Sequence, residues 1–446
     1  MNRLVFPGSE FRNFRLRMLA ESPLESVGAV IARVGRGKQS QRFIVIETAI
    51  AEPEDYVSRS QTGAVAQPKF VARALRRARD ENACLFLAHT HPFEDFPHFS
   101  RVDKTGELTI ASTLYGRAPL GPHGSLVIGA TGFAARLIDR GGKTTELIER
   151  LLEVSANVRL CGEREGDDPA EIFDRNVRAF GKDGQLLLNR LHVAVVGVGG
   201  TGSFVVEELA RLGVGRLTLI DDEDIESTNL NRIVGSTESD VGKRKVDVLA
   251  AVAKRARKGI EVNAIAGSIL RESVARRLID CDLVFCCTDS HGSRAVINQV
   301  AYQYLVPTLD IGVRIDAAAG TVTTASTRVQ LLAPGLACLA CHPLLSADAV
   351  RRDLFSPEQR AADPYIVGFQ EPQPAVVSIN GSVSSSAVTM FLTCMTGLPG
   401  STRHLVGQPL EGTVRAVVAK PRLECVVCGA NNAYGRADSW PLMWIK

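Results

Sequence analysis

One stretch of this chain, HVAVVGVGGTGSFVVEELARLG (192–213), leaves few ways to fold. Five residues of buried-strand type run into a Gly-x-Gly-Gly-x-Gly loop and then into a helical apolar repeat. A strand therefore turns at its carboxyl end into a helix whose first N–H groups are uncovered and can receive phosphates. The pattern continues downstream, where RLTLIDD (216–222), EVNAIAG (261–267) and DLVFCCTD (282–289) read as buried strands alternating with helical stretches such as KVDVLAAVAKRARK (245–258). Buried strands joined by helices are the units of an open parallel sheet covered on both faces, so this half is predicted to be a doubly wound α/β domain.

Ahead of it, SVGAVIARV, RFIVIETAI, ACLFLAH and GSLVIGATGFAARLI predict short strands, and QPKFVARALRRARDE a helix, which makes a second, smaller α/β unit. The Gly-rich, charged stretches IDRGGKTTE (138–146) and CGEREGDDPAE (161–171) put the boundary between them. The expected division is residues 1–148, a connector with a helix over 149–180, and 181–446. With 52 Lys plus Arg against 49 Asp plus Glu, the net charge of +3 offers no field for nucleic acid or an anionic membrane. An apolar content of 45% excludes a disordered chain. The amino-terminal MNRLVFPGSEFRNFRLRML carries four arginines and no uninterrupted apolar stretch, and no later run approaches the ~20 apolar residues of a membrane span. A soluble, cytoplasmic protein is expected, with neither nucleic acid nor membrane as a partner.

In the first unit, His89-Thr90-His91-Pro92 follows the apolar run ACLFLA, so the period of two turns both imidazoles to one side where that strand ends. Asp103 closes the segment Ser100-Arg101-Val102-Asp103. Two neutral imidazoles and a carboxylate are the set that leaves a fourth position on zinc open for water, whose pKa zinc brings to about 7. The plain reading of the second segment is a capping box opening a helix, and capping is compatible with ligation. A His-x-His-x-Asp-His zinc site is not matched, because position 93 is Phe. Together with Glu25-Ser26-Val27-Gly28 upstream, HTHP and SRVD resemble the JAMM (JAB/MPN) metalloprotease motif. That resemblance implies a catalytic zinc on His89, His91 and Asp103. It makes Glu25 the base that deprotonates the attacking water and Ser100 a stabiliser of the tetrahedral oxyanion. Glu47 and Glu52 are rival bases that lack the following glycine. Family members cleave after the glycine tail of ubiquitin-like proteins.

In the second unit, the glycine loop alone also suits a dinucleotide dehydrogenase, which would likewise place an acid, here Asp221, at the end of the next strand. The residues beyond Asp221 separate the two: an acidic run, DDEDIE, then cationic Arg232 and Lys245, and a second acid, Asp289, after DLVFCCT. Cations for a polyphosphate and an acid for Mg2+ describe nucleotidyl transfer better than hydride transfer. The combination GxGGxG, LTLIDDEDIESTNLNR, VGKRK and CCTDS resembles the ThiF/MoeB/HesA-type ubiquitin-activating enzymes, with a Rossmann-like adenylation domain. By that resemblance Gly197, Gly199, Gly200 and Gly202 form the ATP loop, and Asp221 binds the ribose. Asn229, Arg232 and Lys245 meet the phosphates, Glu223 is a further nucleotide contact, and Asp289 holds Mg2+. FDRNVRAFGKDGQ resembles the family helix that lends an arginine to the neighbouring subunit, which nominates Arg175 and implies a homodimer through this domain.

Cys338-Leu339-Ala340-Cys341 and Cys425-Val426-Val427-Cys428 can supply four thiolates to one ion, with His342 as a substitute, although the pairs lie further apart than in a usual zinc ribbon. In the resembled family such pairs hold a structural zinc. Family members that form a thioester carry a cysteine in the segment after the first pair. Here none stands between Cys341 and Cys394, and Cys394 falls on a helical apolar repeat. Transfer to a partner's thiol, or to a hydroxyl among Ser378, Ser382, Ser384, Ser385 and Ser386, remains open. The carboxyl-terminal SWPLMWIK, with Trp440 and Trp444, is expected to dock on its own domain.

Hydrolysis at a glycine tail produces a carboxylate, and adenylation activates one. The two resemblances together imply a fusion of JAMM protease and ThiF-type domains, as in bacterial ubiquitin-like conjugation systems. Such an enzyme would use ATP, Mg2+ and two Zn2+ ions, one catalytic and one structural. Its partners would be a ubiquitin-like protein ending in Gly and a separate carrier enzyme. Two alternatives are a sulfur-carrier-activating enzyme of cofactor or cysteine biosynthesis and a nonenzymatic modifier-binding scaffold.

Overall fold

The computed structural model describes residues 1–162, 168–318, 320–342, 344–355 and 374–443. Met1–Glu165 with Gly435–Pro441 form one compact unit, and Gly166–Tyr434 with Leu442–Lys446 the other.

In the first unit, β1 (Asn2–Pro7), β2 (Val27–Arg36), β3 (Gln41–Ile50), β6 (Cys84–Thr90), β7 (His123–Ile128), β8 (Phe133–Ile138), β9 (Thr144–Val154) and β10 (Val158–Cys161) make one sheet in the order β1-β3-β2-β6-β7-β8-β9-β10; β4 (Tyr56–Ser60) and β5 (Gly63–Ala66) pair separately as a hairpin. Because β1 also pairs with β9, the sheet closes on itself. Strand alternation divides the apolar side chains into two cores. Val30 and Ala32 of β2 join Phe43, Phe86 and Leu126 around Phe11, Phe14 and Met18 of α1 (Glu10–Met18). Ala29 and Ile31 face the other way, onto Phe70, Ala74 and Leu75 of α2 (Pro68–Asp80) and Ala111 and Leu114 of α3 (Arg101–Arg117). Gly28 answers to this packing, since a Cβ there would stand 2.9 Å from both Met18 Sδ and Phe14 Cζ.

The expected boundary at 148/149 falls inside β9. The charged stretch IDRGGKTTE is the turn from β8 to β9, and the apolar second half of β9 pairs in parallel with β1. A long-range parallel partner leaves no local mark in the sequence. Similarly, GSLVIGATGFAARLI is not one strand but the hairpin β7–β8, turning at 129–132. The carboxyl-terminal stretch from Gly435 to Pro441 belongs to the first unit: the Arg33 guanidinium donates to the Gly435 carbonyl at 3.3 Å, and the Arg36 N–H to Asp438 Oδ2 at 2.9 Å. Trp440 lies in this stretch, and Trp444 lies outside the described residues.

The second unit holds β11 (His192–Val196), β12 (Arg216–Asp221), β13 (Glu261–Ala266), β14 (Leu283–Cys286), β15 (Thr308–Ala318), β16 (Thr321–Leu332), β17 (His404–Gln408) and β18 (Thr413–Ala416), ordered β13-β12-β11-β14-β15-β16-β17-β18. The first five are parallel, and the last three join antiparallel. Strand order reverses direction between β11 and β14, and ligands of open α/β sheets bind outside the carboxyl edge at such a point. α5 (Gly200–Leu212) leaves the glycine loop, α6 (Lys245–Ala256) covers β12 and β13, α8 (His291–Gln303) follows β14, and α10 (Val377–Met395) packs along α5; α4 (Asp174–Arg190), α7 (Glu272–Ala275) and α9 (Ala347–Asp353) complete the helices described. EVNAIAG, expected to be buried, is the edge strand β13, whose side chains are partly or fully exposed because only β12 flanks it. No helix among the described residues is long and apolar enough to cross a membrane.

Candidate functional sites

Strand register assembles the cluster of the first unit. Val27 of β2 stands opposite His89 of β6. The pairing runs on past the strand end: the Ser26 N–H donates to Thr90 Oγ1 at 2.8 Å, and the Thr90 N–H to the Ser26 carbonyl at 3.1 Å. Glu25, the next residue out, is thereby held beside the His89–His91 end of β6. From the other side Ser100 caps α3. The Asp103 N–H donates to Ser100 Oγ at 3.2 Å, and the Ser100 N–H to Asp103 Oδ2 at 2.6 Å, so the expected capping box is present. It fixes Asp103 with Oδ1 3.0 Å from His89 Nε2 and Oδ2 3.7 Å from His91 Nε2.

One ligand atom from each of His89, His91 and Asp103 lies within 4.8 Å of the others. His89 Nε2 and His91 Nδ1 are buried and make no well-directed hydrogen bond, each facing a carboxylate instead: Asp103 Oδ1 at 3.0 Å from the former and Glu94 Oε1 at 3.4 Å from the latter. Two unsatisfied imidazole nitrogens around a carboxylate fit a divalent cation. Burial would raise the Asp103 carboxyl, but the close approach of the His89 imidazole, together with the Ser100 donors, outweighs it and holds the group well below the usual carboxylate range. Glu25, only 8% exposed, moves the opposite way; burial raises it, and the His89 charge opposes that only in part. A carboxyl so raised suits a base that must later return its proton. The rival glutamates are engaged elsewhere: Glu47 pairs with Arg77 at 2.8 Å, and Glu52 opens the 53–55 turn, its N–H bonded to Asp55 Oδ2 at 3.3 Å.

In the second unit, three of the four loop glycines are required by the protein's own packing. Gly197, at φ +83°, lies against the Cys287–Thr288 peptide, where a Cβ would come within 2.9 Å of the Cys287 carbonyl. At Gly202 a Cβ would meet the Gly197 carbonyl at 1.9 Å, and at Gly200 the Asn380 Nδ2 at 2.4 Å; Gly199 faces open space. The loop is thus where the β14 turn, carrying Thr288 and Asp289, and the start of α10 both approach α5. Asp221 orders it: Oδ2 accepts from the Val198 N–H at 2.8 Å and Oδ1 from the Glu223 N–H at 3.0 Å, while burial raises its carboxyl.

Arg232 packs its stem by Gly200 and donates to the Thr228 carbonyl at 2.6 Å. Asn229 is buried, its Oδ1 accepting from the Glu226 N–H at 3.2 Å. Lys245, also buried, forms a close ion pair with Glu223, so Glu223 serves the cation directly. Asp289 is exposed at the sheet edge and carries no ion pair among the described residues, which fits a carboxylate available to Mg2+. Arg175 is exposed near the start of α4, a helix broken at Phe180–Gly181.

Cys338 Sγ lies 3.4 Å from Cys425 Sγ, and Cys341 Sγ 3.3 Å from Cys428 Sγ; all four sulfurs are within 4.8 Å of one another. The Arg422 N–H points at Cys341 Sγ at 3.3 Å. Gly429 closes the second knuckle, where a Cβ would strike the Cys425 carbonyl at 2.5 Å. Four converging sulfurs fit tetrahedral zinc without His342. Elsewhere burial pushes the thiols of Cys84, Cys161, Cys287 and Cys394 up to about 12, against nucleophilic use. Of the candidate hydroxyls, Ser384 donates to the Thr201 carbonyl at 3.0 Å, Ser385 to Glu208 at 2.6 Å and Ser386 to the Ser382 carbonyl at 2.9 Å, which assigns them to helix packing.

Sequence reasoning missed two features. Asn380 stands in a run whose conspicuous polar residues are the serines. Asp310, fully buried, is held by Arg328 at 2.6 Å and Arg294 at 3.5 Å; Arg294 also donates to the Thr288 carbonyl at 2.9 Å and so braces the Asp289 turn. Asp310 and Arg328 are joined by the β15-β16 register, and Arg294 reaches them only because α8 packs against those strands.

The ThiF family profile matches residues 173–425. A tRNA threonylcarbamoyladenosine dehydratase from Bacillus subtilis (strain 168) is 51% identical over 79 residues, covering 18% of this chain and 31% of that protein. Ubiquitin-like modifier-activating enzyme 5 from Oryza sativa subsp. japonica is 32% identical over 166 residues, 34% of this chain and 38% of the relative. An adenylyltransferase and sulfurtransferase from Arabidopsis thaliana is 26% identical over 259 residues, 58% of this chain and 51% of the relative. The chain thus spans about a third to a half of these relatives' length.

Proposed function

The chain belongs to the ThiF family, and from that membership we propose that its second unit is an ATP-dependent, E1-like adenylyltransferase for the C-terminal glycine carboxylate of a ubiquitin-like protein. The observation that carries this reading is the convergence on one glycine loop of Asp221, Arg232 and the unpaired Asp289. In the reaction a carboxylate oxygen of the tail attacks the α-phosphorus of ATP, the bond to the β-phosphate oxygen breaks, and pyrophosphate leaves. Asp221 takes the ribose. The α5 N–H groups with Arg232, Asn229 and Lys245 hold the phosphates, Lys245 being positioned by Glu223. Asp289 would hold Mg2+, which when bound neutralises charge on the leaving group. Arg175 acts from a second copy, making a homodimer. With the buried thiols unsuited to attack, the acyl group passes to a separate carrier enzyme. ATP–pyrophosphate exchange tests this: exchange should need a Gly-ending ubiquitin-like protein and vanish when its terminal glycine is removed. Exchange that ignores the added protein would contradict the substrate assignment.

The first unit is, in the same reading, a JAMM-type zinc isopeptidase acting on that modifier. His89, His91 and Asp103 would hold zinc, which when bound supplies Lewis acidity to water and the scissile carbonyl. Glu25 takes the proton of the attacking water and gives it to the leaving amine, while Ser100 faces the oxyanion. Buried imidazole nitrogens of His89 and His91 that face carboxylates without bonding them support this assignment over a metal-free relic. A sulfur-carrier pathway is the second reading, favoured by the similarity to the adenylyltransferase and sulfurtransferase; a sulfurtransferase that accepts the adenylate would select it. A scaffold without turnover gives no reason for the unpaired Asp289 or the raised Glu25.

The four-cysteine cluster is assigned to structural zinc. Cys338→Ser is expected to lower bound zinc by one equivalent and to cost several kcal/mol of stability, as removal of a buried metal ligand does. Zinc content with thermal denaturation checks this, and an unchanged zinc stoichiometry would refute the ligand assignment.

A further inference from the structure

We propose that Asn380, a residue with no part in the adenylation scheme, is a phosphate-positioning residue of the nucleotide site. The inference rests on the adenylation reading. Asn380 is on the first turn of α10 and only 5% exposed, yet its side-chain amide has no hydrogen-bond partner among the described residues. A largely buried residue whose amide bonds to no described residue keeps its donor free for whatever occupies the small surface it leaves open, which points to a ligand there. Its position says which. The Nδ2 lies so close to Gly200 that a Cβ there would come within 2.4 Å, and the same point is 3.5 Å from Arg232 Cδ. Gly200 is the first residue of α5, so the amide and the guanidinium stem flank the N-terminus at which the uncovered N–H groups gather. Ser384, one turn on, ties α10 to that first turn through its bond to the Thr201 carbonyl at 3.0 Å. The second Gly of the Gly-Gly pair is therefore the residue that admits Asn380 to the phosphate site.

In this arrangement Asn380 Nδ2 donates to a phosphate oxygen of ATP seated over the α5 N-terminus, and α10 becomes part of the nucleotide site. Two near-isosteric variants test it, Asn380→Leu, which deletes the donor, and Asn380→Asp, which sets a carboxylate against phosphate. Calorimetric titration with Mg-ATP and, separately, with adenosine supplies the readout. Asn380→Leu should weaken Mg-ATP about tenfold and Asn380→Asp more, since bonds to charged groups are the strong ones, while adenosine affinity stays within about twofold. Should one variant fail to fold, the other still decides. Equal weakening of both ligands would assign Asn380 a merely structural role, and unchanged Mg-ATP affinity would remove it from the site; either overturns the proposal while the adenylation reading stands. A parent protein that binds no Mg-ATP would sink both together.

Discussion

Asp289→Ala is expected to cut modifier-dependent ATP–pyrophosphate exchange about 10²–10³-fold, the scale seen when one electrostatic stabiliser of a developing charge is removed. The loss should appear in turnover, with little change in folding. Asp289 is exposed and unpaired among the described residues, and a surface substitution of that kind stays within about 0.5 kcal/mol. The turn it sits on is also supported independently: Arg294 holds the Thr288 carbonyl, and the Ser290 N–H donates to Thr288 Oγ1 at 3.3 Å. The variant should therefore keep its melting temperature, and its residual exchange should become less sensitive to Mg2+ concentration. Exchange within a fewfold of the parent would take Asp289 out of the mechanism and return the Mg2+ to a phosphate-only site.

Glu25→Gln should leave zinc bound to the first unit and lower cleavage at the modifier's glycine tail about 10²–10⁴-fold, the contribution of a positioned general base. Glutamine keeps the shape of the side chain, and the neighbouring contacts run through the backbone: the Glu25 N–H donates to the Ser60 carbonyl at 2.9 Å, and Arg59 Nε to the Glu25 carbonyl at 2.6 Å. Packing and register should survive, so zinc content serves as the control. If chelator-sensitive cleavage persisted at the parent's rate, the base would have to be another group, such as Glu94, 3.4 Å from His91 Nδ1.

Much of this was legible in the sequence because it is local. The strand–loop–helix of 192–213, the His-x-His at a strand end and the capping box of Ser100 and Asp103 are set by residues a few positions apart, where periodicity and hydrogen-bond chemistry act directly. Carboxylates and cations that need a partner could be nominated but not paired. That Glu223 would take Lys245, or that Glu47 would be lost to Arg77, depends on helices laid against strands. Least visible were the relations carried by long-range register: β9 beside β1, Asp310 between two arginines, and Asn380 against Gly200. In the last case the sequence shows Gly200 only as part of a phosphate loop, whereas its lack of a side chain is what the neighbouring helix requires.

Activation of a protein's terminal carboxylate at the glycine loop is tested directly by the intact mass of a Gly-ending ubiquitin-like protein after incubation with the chain, ATP and Mg2+, with the mixture quenched in acid. The modifier should gain one AMP, be converted to the hydroxamate on adding hydroxylamine, and show no gain when its terminal glycine is deleted. A modifier of unchanged mass, together with reduced nicotinamide bound at the glycine loop, would contradict it.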